Sequence, residues 1–133
     1  MIWLHCGGPD DVATTLSLAA RVLLEDANLD VLITADPDTL PLLQDAPDRA
    51  LTEPVPPDSP TRAREFLDKW MPSSLVWIGG TLRPSLLRSA DRTGIKAILI
   101  NARINGILGS GARWLPRAAK NAVQPFASIL TAD

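Results

Sequence analysis

Residues 75–87 constrain the fold of this chain more than any other stretch. An apolar run, Leu75-Val76-Trp77-Ile78, leads through Gly79-Gly80 into a short loop, and Pro84 then opens a helical pattern. Proline is favoured in the first turn of a helix, where its missing N–H leaves no hydrogen bond unmade. A strand that is apolar throughout is typical of a parallel sheet covered on both faces. The segment therefore predicts one strand–loop–helix unit of an α/β domain.

The same alternation continues along the chain. The predicted strands are 2–6, 30–35, 74–78, 96–100 and 128–131, with an edge strand at 50–55, where prolines exclude a central position. The predicted helices are 12–24, opened by Pro9-Asp10-Asp11, then one from Ser59 or Thr61 to Pro72, and 84–94 and 109–123, with a short helix or turn at 37–44. Such alternation forms βαβ units with right-handed crossovers. We expect a three-layer Rossmann-like α/β domain with a mostly parallel sheet.

Length and composition limit the classes of protein that remain. The 133 residues fit one domain, 1–133, and a net charge of -2 argues against a general nucleic-acid binder. The single cysteine, Cys6, excludes an internal disulfide and a thiolate-rich metal site, and no metal is expected. The apolar start at 1–6 is too short to span a membrane. Apolar residues make up 46% and charged residues 21% of the chain, which is typical of a soluble globular protein. Because the chain begins inside a strand and ends about one strand after its last helix, we expect a domain of a longer protein or a gene fragment.

Small and polar residues follow the predicted strands, where ligands bind in open α/β sheets. Gly7 and Gly8 follow the first strand, and a glycine-rich turn before a helix can present N–H groups to an anion. Gly-Gly is also a routine turn, Pro9 removes one donor, and no G-x-G-x-x-G is present. Asn101 and Arg103 follow a later strand, where Asn101 could tie loops together and Arg103 could meet an anion.

Several motifs, in order and over nearly the whole chain, carry a family resemblance. They are Trp3-Leu4-His5-Cys6 followed by Gly7 to Asp11, Val31-Leu32-Ile33-Thr34, residues 72–87, Asn101-Ala102-Arg103, and residues 126–132. With them the chain resembles the N-terminal domain of 3-deoxy-D-manno-octulosonic acid (Kdo) transferases, which are GT-B glycosyltransferases of lipopolysaccharide assembly. Asn-Ala-Arg after an apolar strand is the most specific match. A generic α/β domain is the alternative, and the absence of a phosphate-loop motif disfavours an unrelated nucleotide-binding domain.

The resemblance implies half of a two-domain enzyme. The N-terminal half would hold lipid A or its precursor, and a C-terminal donor domain outside this chain would bind CMP-Kdo. Transfer would need no cofactor and no metal, and this half alone is not expected to turn over. The family works at the cytoplasmic face of the bacterial inner membrane. Trp114 and the basic residues Arg113, Arg117 and Lys120 could therefore rest peripherally on anionic lipid, or form a solvated helix face.

The resemblance places Asp11 at the position of the family's proposed general base, a glutamate. A base there would take the proton of the acceptor hydroxyl as it attacks the anomeric carbon. Asp10 and Asp11 also suit a helix cap, which is the alternative role, and we expect the helix start to lower the pKa of Asp11. Cys6 and His5, at the end of the same strand, are interpreted as core residues because no catalytic partner is in view.

The loop after residue 78 departs from the family pattern E-T-E-L-W-P. The two carboxylates of the pattern correspond to Gly79 and Thr81 in this chain, and its tryptophan corresponds to Arg83. Gly80 lies between the two carboxylate positions. Arg83 could bind an anionic group of the acceptor, or be an exposed residue of a helix-opening loop. The lost carboxylates favour the rival hypothesis, a degenerate non-catalytic domain that binds a lipid-linked sugar or acts as a scaffold.

Overall fold

The computed structural model describes residues 1–80 and 83–100, and these form a parallel sheet with helices on both faces. The strands are β1 (Ile2–Cys6), β2 (Val31–Ala35), β3 (Ala50–Pro54), β4 (Ser74–Ile78) and β5 (Lys96–Ile100). The helices are α1 (Val12–Glu25), α2 (Pro60–Trp70) and α3 (Pro84–Arg92), with 3-10 turns at Pro9–Asp11 and Leu40–Leu43. The predicted three-layer α/β architecture is confirmed, whereas the predicted helix 109–123 and strand 128–131 lie outside the described residues.

The strand order is β3-β2-β1-β4-β5, and every neighbouring pair is parallel. The chain builds outward from β1 through β2 to β3 and then returns to place β4 on the other side of β1. The order therefore reverses between β1 and β4, and beyond the carboxyl ends of the strands at such a point open α/β sheets form a ligand-binding crevice. This crevice, where the loops after β1 and β4 meet, is called the switch-point crevice below.

Alternate residues of β1, β2, β4 and β5 face two separate apolar cores. One core joins Ile2, Leu4 and Val76 of the sheet to Leu18 and Val22 of α1. The other joins the opposite face to α2 and α3, with members that include Trp3, Trp77, Phe66, Leu67, Leu86 and Leu87. Since both faces of the sheet are covered, β1, β2 and β4 are buried throughout, which explains their mostly apolar sequences, whereas the edge strand β3 is largely exposed.

The buried face of α1 differs from the stripe that the sequence suggested. In the sequence of α1, the apolar residues at helical spacing are Leu16, Ala19, Ala20, Leu23 and Leu24. The structure buries Thr15, Leu18, Ala19 and Val22, and Leu16 and Leu23 are partly buried against the same core, while Ala20 is exposed and Leu24 is 85% exposed. Leu24 lies two residues beyond Val22 and so points about 200° around the helix axis from it. The sheet thus selects a face that includes a threonine and leaves a leucine in solvent.

The ends of α2 and α3 follow the predicted signals. Of the two cap candidates for α2, Ser59 makes the bond, because its hydroxyl oxygen accepts from the amide of Arg62 at 3.2 Å. Met71 takes a left-handed conformation after the helix, ahead of Pro72. Gly94 has a φ of 84° after α3. Among the described residues, no helix combines the length and the apolar run needed to cross a bilayer.

Candidate functional site

The switch-point crevice is closed at its base by three glycines in backbone contact. The amide of Gly7 donates to the carbonyl of Ile78 at 2.7 Å, so the loop after β1 leaves the sheet beside the loop after β4. A Cβ atom on Gly7 would overlap the carbonyl group of Gly79 and lie 2.7 Å from the nitrogen of Gly80. Only glycine at position 7 allows the two loops to pass this closely, which fixes the width of the crevice.

Gly79 and Gly80 turn the chain sharply as it leaves β4. Their φ angles are 68° and 69°, in the left-handed region that side chains with a Cβ rarely adopt. The amide of Gly79 still donates to the carbonyl of Ile100 at 2.8 Å, which anchors the turn to β5. The loop therefore leaves the sheet by a fixed path.

The carboxylate of Asp11 lies over the backbone of Gly79. A Cβ atom on Gly79 would overlap all three atoms of this carboxylate group, and one on Gly8 would lie 3.8 Å from its Oδ2 atom. The structure thus brings together Gly7, Gly8, Asp11, Gly79 and Gly80, which the sequence had placed in two separate loops. The result is one carboxylate against a glycine-lined wall at the carboxyl end of the sheet.

Asp11 occupies the N-cap position of α1, but its side chain makes no capping hydrogen bond. Asp10 and Asp11 both lie in the first turn of the preceding 3-10 helix, whose cap residue is Gly8. Only the backbone of Asp11 takes part, since its carbonyl accepts from the hydroxyl of Thr15 at 2.8 Å. Asp11 therefore takes the predicted cap position, but without a side-chain capping hydrogen bond, because its carboxylate lies against Gly79 instead.

The pKa of Asp11 also differs from expectation. The helix start was expected to lower it, yet burial against the crevice wall, together with the nearby charge of Asp10, raises it above its usual range. Desolvation is the larger cause, since it disfavours the charged form of the carboxyl group. A raised pKa makes the carboxylate a better proton acceptor, which suits a general base.

Arg83 directly precedes α3 and is the cap residue of that helix. Its Nη2 atom is 2.6 Å from Oδ1 of Asp36, the residue after β2, and its Nη1 donates to the carbonyl of Pro56 at 3.5 Å. The carboxylate of Asp58 accepts from the amide of Leu86 at 3.2 Å, within the first turn of α3. Arg83 is therefore partly buried and paired, so an incoming anion would compete with Asp36 for its guanidinium group.

The side chains of Trp3, Thr34 and His5 form a buried polar network that the sequence analysis did not predict. The hydroxyl of Thr34 accepts from the indole Nε1 of Trp3 at 2.8 Å and lies 2.9 Å from Nδ1 of His5. His5 is 3% exposed and its ring lies against that of Trp77, with 3.9 Å between centroids. Burial first, and then the charge of Arg83, lower the pKa of His5 to about 3. The ring is neutral at physiological pH.

The interpretation of His5 as a satisfied core residue is confirmed, and Thr34 is its partner. The one signal in the sequence was a polar residue near the end of each of two apolar strands. Those residues become neighbours because β1 and β2 pair with His5 opposite Thr34. Cys6 is buried as well, and its thiol donates to the carbonyl of Gly8 at 3.4 Å. Desolvation raises the pKa of the thiol, which makes it a poor nucleophile.

Three of the predicted site residues, Thr81, Asn101 and Arg103, lie outside the described residues, as do Trp114 and the basic stretch 113–120. Within 1–80 and 83–100, no cluster of three or more His, Cys, Asp or Glu side chains is arranged to hold a metal ion.

Comparison with known proteins places these features in a family. A family model described as 3-deoxy-D-manno-octulosonic-acid transferase (kdotransferase) matches residues 1–133. A 3-deoxy-D-manno-octulosonic acid transferase of Rickettsia typhi is 29% identical over 119 residues, which cover 88% of this chain and 25% of the relative. The chain therefore spans about a quarter of the length of the curated relative that it matches.

Proposed function

The chain belongs to the 3-deoxy-D-manno-octulosonic-acid transferase family, as its motifs predicted, and from this premise we propose that it is the acceptor-binding half of a Kdo transferase. The complete protein would move Kdo from CMP-Kdo to lipid A or a precursor of it. A C-terminal domain would hold the donor, and the switch-point crevice would face it with the acceptor between the two domains. The complete protein would work at the cytoplasmic face of the inner membrane.

The observation that carries this proposal is the position of Asp11. Its carboxylate lies at the carboxyl end of the sheet, where α/β domains bind ligands, and its pKa is raised by desolvation. In the proposed step, the acceptor hydroxyl oxygen forms a bond to the anomeric carbon of Kdo while the bond from that carbon to the CMP phosphate breaks. CMP leaves with the electron pair, and Asp11 takes the hydroxyl proton.

The surrounding residues would shape the acceptor site. Gly8 would let a sugar approach the backbone closely, because the nearest atom to a Cβ built there is 3.8 Å away, at Oδ2 of Asp11, whereas Gly7 would serve by letting the two loops meet. Thr81, Asn101 and Arg103 are proposed as further acceptor contacts on the strength of the family resemblance. Arg83 would bind an anionic group of the acceptor only by exchanging its bond to Asp36, so its main proposed role is to hold the loop after β4.

One observation favours a second candidate function. The sequence after β4 has Gly79 and Thr81 where the motif of the resembled family has carboxylates, so the chain has two carboxylates fewer than that motif supplies. A domain that binds a lipid-linked sugar without transferring Kdo would tolerate this loss. The two candidates differ in whether Asp11 is needed for turnover or only for the shape of the crevice.

A transfer assay with the full-length protein tests the proposal. Purified protein, CMP-Kdo and a lipid A precursor are incubated, and the Kdo-bearing lipid is measured by mass spectrometry. Asp11→Asn should lower the rate of transfer by roughly 10²- to 10⁴-fold, the usual contribution of a general base. Asp10→Asn is the matched control, since Asp10 is exposed and lies outside the crevice wall, and it should keep most of the activity.

The outcomes separate the candidates. If the wild-type protein binds the lipid precursor but transfers no Kdo, the non-catalytic binding function is supported. If the wild-type protein is active and Asp11→Asn transfers Kdo at the same rate, Asp11 is not the base.

A further inference from the structure

We propose that Gly79 is a positioning residue whose missing side chain leaves the space that holds the carboxylate of Asp11. The carboxylate group occupies the volume that a Cβ atom at position 79 would fill, so the two cannot be present together in this arrangement. The positional part of this inference is independent of the reaction, and only its catalytic consequence rests on the proposed function. In this chain, the identity of residue 79 sets where the acidic group of the crevice lies.

The backbone on the β4 side of the contact cannot give way. The amide of Gly79 is bonded to the carbonyl of Ile100 at 2.8 Å, which ties it to β5. The next residue, Gly80, is packed so closely that a Cβ atom on it would lie 2.9 Å from the Cα and carbonyl oxygen of Gly7. A side chain added at position 79 would therefore not be accommodated by a movement of its own loop.

The backbone of Asp11 is held as well. Its amide donates to the carbonyl of Gly8 at 3.0 Å, and its carbonyl accepts from the hydroxyl of Thr15 at 2.8 Å. Its carboxylate, in contrast, makes no capping hydrogen bond within the part of the chain that the structure describes. Packing against Gly79 is then what orients the group, and a new side chain at position 79 would push the carboxylate toward solvent.

Displacement of the carboxylate has a measurable consequence. Desolvation against the crevice wall is the main reason that the pKa of Asp11 is raised. A carboxylate moved into solvent would lose that effect, and its pKa would fall toward the ordinary value. It would also move away from the position of a reacting hydroxyl, and a misplacement of about 1 Å can cost about 100-fold in rate.

The first test is the titration of Asp11 in the full-length protein, labelled with ¹³C at the aspartate carboxyl groups and assigned with Asp11→Asn. Gly79→Ala should lower the pKa of Asp11 and lower Kdo transfer about 100-fold. Gly94→Ala is the matched control, because Gly94 also has a positive φ, of 84°, but a Cβ atom there meets nothing within 4 Å. It should lose stability through backbone strain while both readouts stay unchanged. An unchanged pKa of Asp11 in Gly79→Ala would overturn the proposal.

A second set of variants covers the case in which Gly79→Ala does not fold. If its instability comes from the clash with the carboxylate, the double variant Asp11→Ala/Gly79→Ala should regain part of the lost thermal stability. The proposal fails if the double variant is no more stable than Gly79→Ala. The exchange Asp11→Gly/Gly79→Asp carries a carboxylate into the same volume from the other loop, and aspartate tolerates a positive φ better than most residues. It should transfer Kdo faster than Asp11→Gly, whereas equal rates would count against the shared volume.

These readouts also separate this proposal from the proposed function. The pKa and stability measurements need no substrate, so they can support the positional role of Gly79 even if the wild-type protein transfers no Kdo.

Discussion

Arg83, the residue before α3, forms an ion pair with Asp36, the residue after β2, and the pair crosses the carboxyl end of β1. The guanidinium and carboxylate groups approach to 2.6 Å, and the Arg83 side chain is 28% exposed. Because β1 lies between β2 and β4 in the sheet, the pair links the loops of two strands that are not neighbours. It also brings a positive charge near His5, which contributes to the low pKa of that ring.

The coupling between Arg83 and Asp36 should exceed that of an ordinary surface pair. A double-mutant cycle with Arg83→Gln and Asp36→Asn is expected to give about 1 kcal/mol at low salt, near the upper end for exposed pairs, because Arg83 is partly buried. Urea unfolding of the four proteins measures it. The cycle of Arg62 with Glu65, which lie 4.0 Å apart and are mostly exposed, is the control and should give a value near zero. Equal values for the two cycles would contradict the expectation.

His5 should make the fold less stable as the pH falls. Its pKa is about 3 in the folded protein and about 6.5 when exposed, so between these values the unfolded chain binds more protons. The contribution is fully present above pH 6.5 and is lost progressively down to about pH 3, at up to about 1.4 kcal/mol per pH unit. Urea unfolding as a function of pH measures it. His5→Asn, which does not titrate, should flatten this part of the curve, and an unchanged slope would show that His5 is not its source.

Removal of the charge at position 83 should raise the pKa of His5. Arg83 is the second cause of the low value, after desolvation, so Arg83→Gln should shift the titration of His5 upward without restoring its ordinary pKa. The ¹H–¹³C resonances of the single histidine report the shift directly. Arg62→Gln, which removes a charge from an exposed helix face, should leave the titration of His5 unchanged.

Gly7 and Gly8 should differ sharply in their tolerance of alanine. Gly7→Ala would place a Cβ atom on the carbonyl group of Gly79, and backbone atoms cannot turn aside as a flexible side chain can. We expect a loss of about 3 kcal/mol in the free energy of unfolding, the upper range for overpacking. Gly8 has an extended φ of -179° and its nearest contact would be at 3.8 Å, so Gly8→Ala should cost less than about 1 kcal/mol. Similar losses for the two variants would contradict the close approach at Gly7.

Ser59 should matter more to α2 than Thr61 does. Ser59→Ala removes the hydroxyl that accepts from the amide of Arg62, and loss of such a cap costs about 1 kcal/mol. Thr61→Ala replaces an exposed threonine inside the helix by a better helix former and should be neutral or slightly stabilising. Thermal unfolding of the two variants distinguishes them, and a larger loss for Thr61→Ala would move the cap to that residue.

Local patterns predicted the elements well, because their causes are local. Pro84 and Gly94 mark the start and end of α3 through backbone conformations that depend on the residue itself. The prolines near Ala50–Pro54 predicted an edge strand because proline has no N–H to donate to a neighbouring strand. In the structure, β3 lies at the edge of the described sheet. The face of α1 was less well predicted, because the surface available on the sheet decides which helical residues are buried.

The sequence by itself determined the class of fold, the ends of most elements and the two glycine loops that border the crevice. Only the tertiary structure decided that Asp11 lies over Gly79 and that His5 pairs with Thr34. The physical reason is that strand order and register, set by burial on both faces of the sheet, bring together residues far apart in the chain. A carboxylate that local rules assign to a helix cap is thereby turned toward a glycine of another loop, where desolvation raises its pKa.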